Sequence, residues 1–226
     1  MKAEKQLARL CGVLFIILFV ISTIAAGLAG SVGDYNISPE DMGSLLKLIA
    51  EHKALHMAEI GFDFFSYIIT TILAIILFVT FSSYNRIYAF LGTVGIVSGA
   101  VILAAHDIPH FILPWIAENY VLANSADAAT LKYIGNVTLM TAMWGLSAGV
   151  TFLGLGFFAY GILFVKSKSV PIIFGWVGII SGVLISAGVW LPRYDESLYF
   201  LFVMLASPLG LWQLALGFWL VIKGTR

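Results

Sequence analysis

Six apolar runs, at residues 10–30, 55–81, 87–105, 135–165, 172–191 and 198–222, leave little of this chain for anything else. Each approaches or exceeds the ~20 residues that a helix needs to cross a hydrocarbon layer about 30 Å thick. In that solvent a backbone satisfies its own N–H and C=O groups only as helices or a closed barrel, and runs this long read as helices. The predicted fold class is all-α: a polytopic membrane helical bundle of six transmembrane helices, one domain over 1–226. Composition agrees, with 61% of residues hydrophobic and 11% charged against roughly 25% charged in soluble domains. The expected location is the cell (cytoplasmic) membrane, multi-pass, with the lipid bilayer as the main partner.

Lysine and arginine set the expected orientation. With the N-terminus cytoplasmic, Lys2, Lys5, Arg9, Arg86, Lys166, Lys168, Lys223 and Arg226 face the cytoplasm and Lys47, Lys53, Lys132 and Arg193 face outward, so both termini are predicted to be cytoplasmic. Eleven of the 12 acids then fall on or near the outer side. The basic leader, apolar run and small-residue end over 1–30 also resemble a signal peptide, but the run is nearer 20 residues than the 7–15 typical of such segments. It is therefore counted as the first span, and cleavage would leave five.

Two longer connections share the outer side. In the first, Ser38 reads as an N-cap, Pro39 suits the first helical position, and Glu40 and Asp41 suit the positive helix end, predicting an interfacial amphipathic helix over 37–52. The second, 106–134, is predicted to be an outer loop with short helices, because Pro109 disfavours helix at Ile108 and a fresh cap follows at Ser125. The fourth span is long enough to protrude on this side. Glycine pairs at 95 and 99, 145 and 149, and 178 and 182 carry the small-xxx-small spacing that lets helices approach closely in lipid. Internal packing is their expected use, and an oligomer seam is the other.

The second span departs from its apolar character. Counting 100° per residue from His52, residues His56, Glu59, Asp63, Ser66 and Thr70 fall within an arc of about 80°, one narrow face of the helix. From His52 to Asp63 the stripe descends about 16 Å. That places a carboxylate in the hydrocarbon, where its charge costs at least ~2.5–3.5 kcal/mol and marks a functional hypothesis. The third span runs the opposite way and ends on His106, Asp107 and His110, so all 4 histidines meet at one membrane face on consecutive antiparallel helices.

Histidines four apart on a helix lie one turn apart on one side and can chelate a metal. The candidate metal ligands are His52, His56, His106, His110 and Asp107, and the candidate catalytic groups are Glu59 and Asp63. Nitrogen and oxygen donors without thiolate suit a divalent metal, zinc first, with iron, manganese or copper as alternatives. Haem is disfavoured, since the i,i+4 spacing is too short for two stacked haems. The plain alternative is that these are interfacial residues, with Asp63 protonated and hydrogen-bonded to Asn136, Thr138 or Thr141, or neutralised by Arg193. Cys11, the only cysteine, excludes an internal disulfide and a thiolate cluster. The zero net charge points to no nucleic-acid partner, and the absence of a Gly-rich phosphate loop and of a Ser- or Cys-nucleophile context argues against nucleotide chemistry.

Below Thr70 the stripe stops, leaving Thr151, Tyr160, Ser181 and Gln213 in the inner halves. That favours an outward-facing pocket between the second, third and fourth spans: a metal-dependent hydrolase or oxidoreductase acting on a lipid-like or periplasmic small molecule. The alternatives are a metal-free binding, sensing or structural protein, and a proton or metal-ion transporter.

The segments FFAYGILFVKSKSVPIIFGWVGIISGVLISAG (157–188) and LWQLALGFWLVIKG (211–224), with RLCGVLFII (9–17) and NRIYAFLGT (85–93), resemble a bacterial six-helix membrane family numbered four-three-eight-six among the domains of unknown function. The resemblance implies a six-span fold. It carries no catalytic residues to this chain, and the paired histidines are not part of the pattern it rests on.

Overall fold

The computed structural model describes residues 2–32 and 41–225. Its helices are α1 (Lys2–Val32), α2 (Met42–Glu51), α3 (Lys53–Phe81), α4 (Arg86–Leu122), α5 (Ser125–Ser167), α6 (Ile172–Gly188), α7 (Leu191–Tyr194) and α8 (Tyr199–Lys223), with a 3-10 turn at Glu196–Leu198 before α8. No strand occurs among the described residues. Six helices, α1, α3, α4, α5, α6 together with α7, and α8, are long and apolar enough to span a membrane. Much of their surface is apolar and exposed, as in Ile68, Ile75, Val101 and Leu211, which is the surface a lipid-solvated bundle presents. This is a multi-pass membrane protein.

Neighbours in sequence pack as neighbours in space along α3, α4, α5 and α6, and α1 and α8 close the bundle against α3 and α6. Gly224 lies against Lys5, so the two chain ends meet at one end of the bundle; α2 sits at the other. Asn85 caps α4 by accepting from the backbone N–H groups of Ile87 and Tyr88, and Asn124 caps α5 in the same way, satisfying donors that a helix start leaves orphaned.

Glycine does the close packing. A Cβ at Gly95 or Gly99 of α4 would lie 2.7 Å from the α5 backbone, at Gly156 Cα and Leu153 N respectively. Gly182 of α6 meets Gly154 and Phe158 of α5, and Gly178 meets Trp212 of α8. All three glycine pairs therefore face neighbouring helices of the same chain.

The expected outer loop over 106–134 is replaced by helix. α4 continues through Pro109 and Pro114 to Leu122, and only Ala123 and Asn124 separate it from α5. A proline within a helix removes one N–H and strips the carbonyl four residues earlier of its partner. Breaking the helix in lipid would strip several more, so a bent but continuous helix is favoured where neighbours take up the freed group. In α8, Pro208 frees the Met204 carbonyl, and the Ser207 hydroxyl donates to it at 3.0 Å. In α4, Pro114 frees the carbonyl of His110, whose new partner belongs to the candidate site below.

α2 starts at Met42, and the predicted cap and first turn at Ser38, Pro39 and Glu40 lie outside the described residues. Its apolar side is covered by protein: Met42, Leu45, Leu46 and Ile49 are buried against Leu113, Ile116 and Ala117 of α4 and Leu139 and Met143 of α5. At 1.5 Å per residue α4 and α5 run about 55 and 65 Å, well beyond a ~30 Å hydrocarbon layer. Their extensions at this end are what α2 packs on.

Candidate functional site

α3 enters the bundle beneath α2, and α4 leaves it alongside, which brings His56 and Glu59 opposite His106, Asp107 and His110. All five are buried, His56 completely. The His56 and His110 rings lie 6.1 Å apart and the His106 and His110 rings 5.4 Å apart, the latter edge to face. Gly145 of α5 makes room for this, since a Cβ there would stand 2.8 Å from His106 Cβ.

His56 Nε2 donates to the backbone carbonyl of His110 at 3.0 Å. This is the carbonyl that Pro114 deprives of its helical partner, and a buried carbonyl left unmet costs about 1–3 kcal/mol. The bond also assigns a proton: a carbonyl only accepts, so Nε2 carries hydrogen. Nδ1 then faces Glu59 Oε2 at 3.5 Å. His106 Nε2 and Asp107 Oδ1, 3.1 Å apart, form a second pair of the same kind. Tyr67 of α3 lies within electrostatic reach of Asp63, Asp107 and Glu59.

His52 is not brought in. It sits at the joint between α2 and α3 with φ −111° and ψ 31°, half-buried; its backbone carbonyl accepts from the His56 N–H at 3.1 Å, but its ring makes no contact to the other three imidazoles among the described residues. The stripe predicted from 52 is interrupted there, because α2 and α3 are separate helices that meet at this residue. Nor do the donors converge: among the described residues no group of three or more His, Cys, Asp or Glu side chains is placed to hold one metal ion. His56 commits Nε2 to a backbone carbonyl, and His106 faces Asp107. The metal expectation for His52, His56, His106, His110 and Asp107 has no geometric support. His56, Asp107 and His110 are closed off from solvent at this level, at 0%, 2% and 4% exposed.

The open space lies deeper. A cavity of about 270 Å³ occupies the middle of the bundle, lined from α1, α3, α4, α5, α6 and α8. Its polar wall is Asp63, Ser66, Tyr67 and Thr70 of α3, faced by Ser22 of α1 and Gln213 of α8; the rest is leucine, isoleucine, alanine, glycine and Phe157. Asp63 is thus a cavity residue, one helical turn below Glu59. Towards the chain ends the cavity gives way to an apolar core including Phe15, Leu73, Leu77, Phe81 and Leu216. Thr151 and Tyr160, expected in the inner halves, are used in packing: Thr151 accepts from Trp190 Nε1 at 2.9 Å, and the Tyr160 hydroxyl bonds Thr93 at 2.8 Å.

Sequence reasoning did not find Tyr67, Ser22 or the cavity role of Gln213. Tyr67 lies one residue after Ser66 and so off the narrow arc, while Ser22 and Gln213 belong to the first and last spans, whose neighbours periodicity does not name. The proline four residues after His110 was a usable signal for the carbonyl that His56 takes.

Residues 10–224 match the family described as a domain of unknown function (DUF4386). The chain belongs to that family. Membership accounts for the six apolar helices and assigns no activity to the cavity or to the histidine cluster. Comparison with curated proteins and with solved structures gives no match.

Proposed function

We propose that this DUF4386 protein is a non-enzymatic binding or sensing protein whose central cavity takes a small molecule, with the histidine–carboxylate cluster as the buried polar roof above it. One observation carries this reading: a single cavity touches all six spans and is polar on one side and apolar on the other. That is the mixed lining by which a site both buries and orients a ligand. A ligand contacting every span is positioned to change how they pack.

Two other readings lack a comparable observation. A metal-dependent hydrolase or oxidoreductase needs donors converging on one ion, and here the imidazoles are engaged with a carbonyl and a carboxylate. A proton or metal-ion transporter needs a second polar opening, whereas the polar lining ends near Gln213 against an apolar core.

Thiol accessibility tests the reading. Cys11 is the only cysteine and is fully buried, so it serves as an internal control. Gln213→Cys and Gly210→Cys each place one half-buried thiol on the cavity wall, Gly210 with 3.7 Å to its nearest neighbour, Phe19. In folded protein, an uncharged methanethiosulfonate should label each variant once and leave wild type unlabelled. Cavity thiols that react only after denaturation would remove the reading.

A further inference from the structure

The cavity has a charge preference built into its lining. Among the described residues its ionisable groups are Asp63 and the phenol of Tyr67, with no lysine, arginine or histidine on the wall. Two further carboxyl groups stand close by: Glu59 one helical turn from Asp63 on α3, and Asp107 buried on α4. The cationic lysine nearest in sequence, Lys53, is bonded to Glu118 at 2.7 Å on the exposed surface. An anionic ligand would meet Asp63 with no cationic side chain among the described lining residues to offset the repulsion, whereas a cation would supply the partner that a membrane-embedded carboxylate requires.

The remaining wall sets the body of the ligand. Leu103, Leu153, Phe157, Ile185 and Leu209 are apolar, and Phe157 offers an aromatic ring of the kind that favours nearby cations. At about 270 Å³ the cavity lies just under the range of ~300–1,000 Å³ usual for drug-sized ligands, so it suits a compact molecule. Resting on the binding role argued above, we propose that the central cavity takes a small, largely apolar organic monocation, a protonated amine, with its ammonium group on Asp63 and its hydrocarbon against the walls from α4, α5, α6 and α8.

Three probes of one shape test this on full-length protein in nanodiscs of neutral lipid: benzylamine, benzyl alcohol and benzoate, at a pH where the amine is protonated. Each is titrated while the apparent unfolding temperature is followed. Benzylamine should raise the midpoint of wild type with at least tenfold higher apparent affinity than benzyl alcohol, and benzoate should do nothing. In Asp63→Asn, benzylamine should fall to the level of benzyl alcohol while benzyl alcohol itself is unchanged, which separates cavity binding from partition into lipid. The comparison within wild type stands even if the variant fails to fold. Equal affinity for amine and alcohol, or a wild type silent to benzylamine, overturns the cation assignment. Thiol labelling at Gln213→Cys and Gly210→Cys decides separately whether the cavity admits molecules at all, so either idea can fail alone.

Discussion

Gly99→Ala isolates the packing on which the cavity and cluster depend. A Cβ at Gly99 would lie 2.7 Å from Leu153 N, 2.8 Å from Gly149 O and 3.0 Å from Leu153 Cα. These are backbone atoms, which cannot rotate aside, so α4 and α5 must separate. Overpacking of this kind costs typically 1–3 kcal/mol, while replacing glycine by alanine within a helix gains about 1 kcal/mol. The clash should win, leaving a net loss of up to roughly 2 kcal/mol. Gly61→Ala is the matched control, because a Cβ there meets nothing within 4 Å and only the propensity gain of up to ~1 kcal/mol applies. The two variants should therefore differ by the overpacking cost, about 1–3 kcal/mol, or roughly 2–12 °C in midpoint for a domain of this size. Heating purified protein in detergent and quantifying the surviving monodisperse fraction by size exclusion measures the gap. If Gly99→Ala proves as stable as Gly61→Ala, the close α4–α5 seam is wrong, and with it the placement of His106 beside Gly145.

The link between Pro114 and His56 predicts a non-additive pair. Pro114→Ala restores an N–H to the His110 carbonyl, so His56→Ala should cost about 1 kcal/mol less in that background than in wild type, read from a double-mutant cycle of unfolding midpoints; additive effects would refute the shared carbonyl. Elemental analysis checks the donor geometry: purified wild type should carry no stoichiometric zinc, iron, manganese or copper. One equivalent of metal, lost in both His56→Ala and His106→Ala, would instead restore the metal reading.

Much of the architecture is written into the chain because lipid leaves so few options. A run such as 55–81 can be stable in hydrocarbon only as a helix, so span number follows from counting apolar residues. The polar arc of His56, Glu59, Asp63, Ser66 and Thr70 follows from the 100° step of that helix, and its meeting with His106 and His110 follows from consecutive spans being antiparallel neighbours.

What the chain does not state locally is where each polar group finds its partner. Pro109 and Pro114 carry the same local signal as helix-ending prolines. Whether α4 continues depends on a group from another helix taking the freed carbonyl, and His56, 54 positions away from His110, does so. The cavity is a tertiary property for the same reason. Ser22 and Gln213 sit in ordinary apolar runs near opposite ends of the chain and face Asp63 only because α1 and α8 close the bundle across α3. Periodicity places a side chain on a face of its own helix; only the packed bundle decides whether that face meets lipid, protein or an internal cavity.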